Sequence, residues 1–142
     1  LAPEFAMADP AGRRVDLSTL RGRVVALFFW DSAYPRQGEI ARQLETLQRR
    51  YRIQGLTVVC LVRAADASAA AAQIGPNRSY SVLSGADAIF QRYGVRESSM
   101  LDLVDRQGKL AQEYLGYGMD PGEERWLERE TRALLGLEVA AR

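Results

Sequence analysis

The chain has no histidine, one cysteine (Cys60) and one lysine (Lys109). Without histidine it cannot assemble a Ser-His-Asp or Cys-His nucleophile system, nor a zinc site of the usual Cys/His type. One cysteine excludes an intrachain disulfide and says little about redox compartment. The basic residues are otherwise arginine, and 19 Lys+Arg against 18 Asp+Glu, spread along the chain, give a formal net charge of +1. Such a balance carries no footprint for nucleic acid or anionic lipid. No run reaches the roughly 18 apolar residues of a membrane span. The opening LAPEFAMADP also lacks the basic and apolar regions of a signal peptide, which is not an argument for the cytoplasm.

What is present suits one globular domain over residues 1–142, with 47% hydrophobic residues. Phe5 and Met7 alternate before Asp9-Pro10-Ala11-Gly12, reading as a short strand and turn, with Val15-Asp16-Leu17 continuing after it. Val24 to Trp30 is a continuous apolar run, the pattern of a strand covered on both faces at the centre of a sheet. From Pro35 to Gln54, the residues Ile40, Leu44, Leu47 and Tyr51 share one helical face, and Pro35 suits the first turn. Leu56 to Val62 is a second buried strand, so the pair with its helix forms a βαβ unit.

The alanine-rich stretch Ala64 to Ile74 predicts a helix stopped by Gly75-Pro76. Ser81 to Leu83 predicts a short extended segment, and Ala86, Ile89, Phe90 and Tyr93 mark a further helix face. Met100 to Asp105 and Lys109 to Leu115 flank Arg106-Gln107-Gly108 as a hairpin. Asp120-Pro121-Gly122-Glu123 predicts a helix start in which Asp120 caps and Glu123 returns to the cap. Leu127, Thr131, Leu134 and Leu135, with Trp126 beside them, give the last helix its buried face. The class is α/β, with helices on a central mixed sheet and a β extension at the N-terminus.

In this order several short blocks resemble the thioredoxin superfamily, specifically its TlpA/ResA-like redoxin branch, grouped with alkyl hydroperoxide reductase and thiol-specific antioxidant proteins. Ala2-Pro3-Glu4-Phe5 is similar to that branch's opening Ala-Pro-Asp-Phe, and Leu20-Arg21-Gly22-Arg23-Val24-Val25 resembles its Leu-x-Gly-Lys-Val-Val. Tyr93-Gly94-Val95 and Leu103-Val104-Asp105-Arg106-Gln107-Gly108 are similar to the blocks flanking its cis-proline. The resemblance implies a thioredoxin-like fold from Ala2 to about Leu135, no bound cofactor, and a periplasmic or extracytoplasmic bacterial setting.

The family reads Phe-Trp-Ala-x-Trp-Cys-x-x-Cys where this chain reads Phe29-Trp30-Asp31-Ser32-Ala33-Tyr34-Pro35-Arg36-Gln37. Tyr34 and Gln37 thus replace both thiols, and a peroxidatic cysteine of the peroxiredoxin kind is missing from the same turn. A thiolate at a helix N-terminus is stabilised by the dipole and free N–H groups and attacks a disulfide; a phenol or an amide does not exchange with one. The family's cis-proline maps to Ser99, and a cis bond away from proline costs about 2.5–4 kcal/mol, so this loop is expected to be trans. Phe28 stands where many thioredoxins carry a buried acid.

The resulting expectation is a degenerate, redox-inactive thioredoxin-like domain acting as a protein-binding or structural module, with the former active-site groove, formed by Tyr34, Pro35, Arg36, Gln37, Ser98 and Ser99, as the surface that would meet a protein partner. The rival is a thiol-disulfide oxidoreductase or peroxide-reducing antioxidant protein using Cys60 or a partner's thiol. Anion or small-ligand binding at the helix start is a third reading. The ordinary reading of Cys60 is a buried small hydrophobe, and of Asp31 and Ser32 local backbone capping. Asp102 is expected to face solvent or pair with an arginine, and Trp30 and Trp126 to be core. Glu123, Glu124, Glu128 and Glu130 read as a solvated helix face.

Overall fold

The computed structural model describes residues 1–137, so the last five residues of the expected domain lie outside it. Five strands form one mixed sheet: β3 (Val24–Phe29), β4 (Leu56–Val62), β5 (Ser81–Ser84), β6 (Met100–Val104) and β7 (Leu110–Leu115), in the order β5-β4-β3-β6-β7. β3 pairs parallel with β4 and antiparallel with β6, and β4 pairs parallel with β5, so the apolar run at Val24 does lie at the centre. At the N-terminus β1 (Ala6–Ala8) and β2 (Arg14–Asp16) make a separate two-stranded sheet.

The period of two in β3 divides the core. Val24, Ala26, Phe28 and Trp30 point to one face, where α1 (Gln37–Tyr51), α2 (Ala67–Ile74) and α4 (Glu123–Leu135) pack through residues such as Ile40, Leu44, Ala70 and Leu127. Val25, Leu27 and Phe29 point to the other, under α3 (Asp87–Arg92) and the N-terminal segment, where they meet Phe5, Leu17, Phe90 and Tyr93. Trp30 and Phe28 are fully buried, and Trp126 is partly buried against Tyr114.

The helices differ from expectation at their starts. α1 begins at Gln37, not Pro35, because residues 31–36 form a turn closed by the Tyr34 N–H on the Asp31 carbonyl (3.1 Å), and the Arg36 carbonyl takes the first helical bond from Ile40 (2.9 Å). Ala64–Asp66 is a separate 3₁₀ turn before α2. At α4 the N-cap is Gly122, and neither Asp120 nor any other side chain caps it. The Glu123 carboxylate turns outward from the helix to the N–H groups of Gly118 (2.9 and 2.8 Å) and Met119 (3.1 Å).

Two carboxylates assigned to solvent are instead buried. Glu123 is 2% exposed, because its side chain closes the loop after β7 rather than joining the outer face of α4. Asp102 is 0% exposed, with both oxygens lacking a hydrogen-bond partner. The central position of β6 decides this, since Asp102 lies between Leu27 of β3 and Glu113 of β7 on the face that carries Met100 and Val104. Of the other acids on α4, Glu128 and Glu130 are half-buried and Glu124 is exposed.

Candidate functional site

The parallel β3–α1 connection carries the chain from the sheet centre to a helix N-terminus, the position at which an α/β fold presents chemistry. The strand hands over at Trp30, whose N–H bonds the Leu61 carbonyl (2.9 Å) and whose indole Nε1–H donates to Ser32 Oγ and Gln73 Oε1, each at 3.0 Å. Gln73 Nε2 in turn donates to the Ser32 carbonyl (3.1 Å), and the Ser32 N–H donates to Asp66 Oδ2 (2.9 Å). Asp31 Oδ1 accepts from the Ala33 N–H (3.0 Å), a local turn bond of the kind that aspartate favours. Every polar group of Trp30-Asp31-Ser32 named here is engaged within the protein.

The two positions expected to stand in place of thiols behave differently. Gln37 is 1% exposed; its Nε2 donates to the Asp31 carbonyl (2.7 Å), while Oε1 has no partner. Tyr34 is half-buried, its ring lying against the 116–118 loop. Gly118, at φ +117°, is required there: a side chain would meet Tyr34 Cδ2 and Gln37 Oε1 at 3.4 Å, in a backbone region that L-residues rarely adopt. The tyrosine ring thus occupies the side of the turn facing the loop after β7.

Ser99 is also closed off. It is 0% exposed, its hydroxyl donates to the Tyr117 carbonyl, and its carbonyl accepts from the Gly116 N–H (2.7 Å). All peptide bonds of the described residues are trans. Ser98 is half-buried beside it. Arg36 is pinned by three oxygens: Glu39 Oε2 (2.7 Å from Nε), the Asp120 carbonyl (3.1 Å) and Glu123 Oε1 (3.6 Å). The Glu39 hydrogen bond, then the Glu39 and Glu123 charges, hold its guanidinium protonated beyond its ordinary range against the opposing cost of burial. The structure therefore brings all six expected residues to one end of the sheet but leaves only Pro35 fully exposed, with Tyr34, Arg36 and Ser98 partly so.

Around them lie residues that pattern alone did not single out: Gln73, Asp66, Tyr117 and Gly118. Glu123 was legible as part of a helix-start motif, not as the group that receives the loop after β7. The exposed apolar side chains Leu115 (67%) and Met119 (58%) flank that loop. Tyr117 is buried, edge-on to Phe28 and Tyr114, and burial pushes its hydroxyl pKa up.

Cys60 is remote from this turn's surface. It lies within β4, paired with Phe28 and Val82, and is 0% exposed. Burial pushes its thiol far above the ordinary range, with only a partial opposing pull from the Arg78 charge. Among the described residues no cluster of His, Cys, Asp or Glu could hold a metal ion, and no helix is long and apolar enough to cross a membrane.

A family model described as Redoxin matches residues 1–129. No curated protein matches the sequence significantly. Among solved structures, a Chlorobium tepidum protein provisionally described as the thiol:disulfide interchange protein DsbE is 29% identical, with a TM-score of 0.82 and 95% of each chain covered. A secreted disulfide oxidoreductase of Mycobacterium tuberculosis, homologous to E. coli DsbE, is 20% identical, with a TM-score of 0.71 over 92% of this chain and 96% of that one. A second Chlorobium tepidum thiol:disulfide interchange protein is 17% identical, with a TM-score of 0.74 and 95% of each chain covered.

Proposed function

The chain belongs to the Redoxin family, and from that premise we propose that it is a thioredoxin-fold domain that no longer exchanges disulfides and serves as a protein-binding module. The observation that carries this reading is the state of its single thiol. Cys60 is wholly buried in β4 with its pKa driven up by burial, whereas an attacking thiol needs exposure and a lowered pKa. At the turn where thiolates would sit, a phenol and a buried amide stand instead, and neither undergoes exchange.

The surface that remains at this end is small and mixed. Pro35, Leu115 and Met119 are exposed, with Tyr34 and Arg36 half-buried among them. Tyrosine and arginine held rigidly beside apolar side chains are the residue types that dominate binding hot spots. Since Gln37 and Ser99 are buried, they support this surface from beneath and do not touch a partner.

Two experiments test the reading. The folded protein, mixed with excess chromogenic disulfide reagent at about pH 5 to 9, is expected to leave Cys60 unmodified until denaturant is added. Rapid reaction of the native thiol, with an apparent pKa below the reference of about 8.5, would overturn the redox-inactive assignment. For the binding role, a photocrosslinking residue at Pro35 is expected to capture one defined protein species that the same group at Ile53 does not. Ile53 is 90% exposed and follows the far end of α1, roughly 20 Å away at 1.5 Å per residue. Equal labelling from both positions defeats the binding assignment.

A further inference from the structure

A second concave feature stands apart from the turn, on the opposite flank of α2. Between α2 and β5 lies a cleft of about 330 Å³, at the small end of the range of about 300–1,000 Å³ for small-molecule pockets. Ala67, Ala70, Ala71 and Ile74 of α2 form one wall and Val82 of β5 contributes to the other. The alanine-rich composition of α2 makes the cleft, because short side chains leave the space between helix and strand unfilled. β5 is an edge strand, so no further strand closes the opening.

Arg78 is the single charged residue lining this cleft. Its Nε is buried without a hydrogen-bond partner, and its guanidinium forms no hydrogen bond or ion pair among the described residues. The acid nearest to hand, Glu45, lines the adjoining surface with Arg78 but is engaged by Arg49 and by the Ser79 N–H and hydroxyl. A partly desolvated guanidinium with no acceptor is an incomplete arrangement, since buried donors in native proteins are almost always satisfied. Its planar fork matches a carboxylate in two parallel bonds.

We propose that the α2–β5 cleft binds a small aliphatic monocarboxylate, its carboxylate on Arg78 and its apolar chain against Ala70, Ala71, Ile74 and Val82. Charge complementarity selects an anion, because no acid lines the cleft to repel one. The apolar walls select an aliphatic chain over a polyanion such as citrate or a phosphate ester. The small volume matches a short chain, and a longer one would extend out past the open side of the cleft. No covalent step is involved, and Cys60, beside Val82 in the sheet register, is wholly buried and does not line the cleft.

Hexanoate is the probe, with hexanol as its uncharged counterpart, and the readout is the ¹⁵N–¹H spectrum of the whole chain. Hexanoate is expected to move the amide signals of Ala70, Ala71 and Val82 and the Arg78 Nε–H signal in one saturable process below about 10 mM. Arg78→Met, which keeps the alkyl stem, is expected to weaken that process by about tenfold or more, and hexanol to bind correspondingly less well. The variant's own spectrum reports its fold, and Arg78→Gln replaces it if the methionine disturbs packing. Equal binding of hexanol, unchanged affinity in the variant, or non-saturating shifts scattered over surface arginines would each overturn the proposal.

Discussion

Glu123 and Asp102 are both buried carboxylates, and they are surrounded in opposite ways. Glu123, at the first position of α4, accepts from the N–H groups of Gly118 and Met119 and lies 3.6 Å from the Arg36 guanidinium. Asp102, in the middle of β6, receives no hydrogen bond at all. Burial, and behind it the Glu113 charge across the strand pair, raise its pKa to about 7. Tyr93 faces it from the end of α3, near Glu4 of the N-terminal segment, and Leu27 flanks it on β3. The difference teaches that burial alone does not decide how an acid is accommodated; the donors around it do. Near a loop and a helix start there are spare N–H donors, whereas a central strand has committed its own to its neighbours.

The largest expected effect follows from Asp102. Its folded pKa of about 7 lies above the unfolded value of 3.8, so the unfolded chain releases the proton first as pH rises. Stability associated with this group is full below pH 3.8, declines through the interval, and is lost once pH exceeds about 7. A separation of about three units corresponds to roughly 4 kcal/mol as an upper figure. Asp102→Leu is therefore expected to be more stable than the wild type at pH 8 by a few kcal/mol, with the gap closing toward pH 4. Urea denaturation of both proteins across that range checks it; a gap independent of pH would show that Asp102 is not protonated in the fold.

The smaller effect has the opposite sign. Glu123→Ala is expected to destabilise the fold by about 2–4 kcal/mol, because it leaves the Gly118 and Met119 N–H groups without their acceptor and removes one of the two carboxylates beside Arg36. Urea denaturation at neutral pH measures it, and hydrogen exchange at Gly118 and Met119 localises it. A loss below about 0.5 kcal/mol would mean that water replaces the carboxylate and that the contrast with Asp102 is empty. If both predictions hold, the two acids will have shifted stability in opposite directions at one pH.

Much of this architecture was readable from pattern. The run from Val24 to Trp30 demanded cover on both faces, and the spacing of Ile40, Leu44, Leu47 and Tyr51 demanded a helix beside it. The absence of a thiol at Tyr34 and Gln37 was likewise plain in the sequence. Asp102 was not legible, because an acid inside an apolar run reads equally as an outward residue or a buried one until both neighbouring strands are known. Nor was the depth of Gln37 and Ser99, which depends on where Tyr34 and the loop around Gly118 come to rest.

By itself the sequence determined the fold family, the single thiol, the absence of histidine and the apolar strands that enclose Cys60, since these depend on residue identity and local period. Tertiary structure alone decided which polar groups are closed off and which remain unmatched. Tyr34 settles against the loop at residues 116–118, Glu123 receives that loop's N–H groups, Asp102 lies between two strands without a donor, and Arg78 lines a cleft without an acceptor. The physical reason is that a hydrogen bond needs its partner within about 3 Å. Residues distant in the chain reach that separation only when the sheet and helices bring them together.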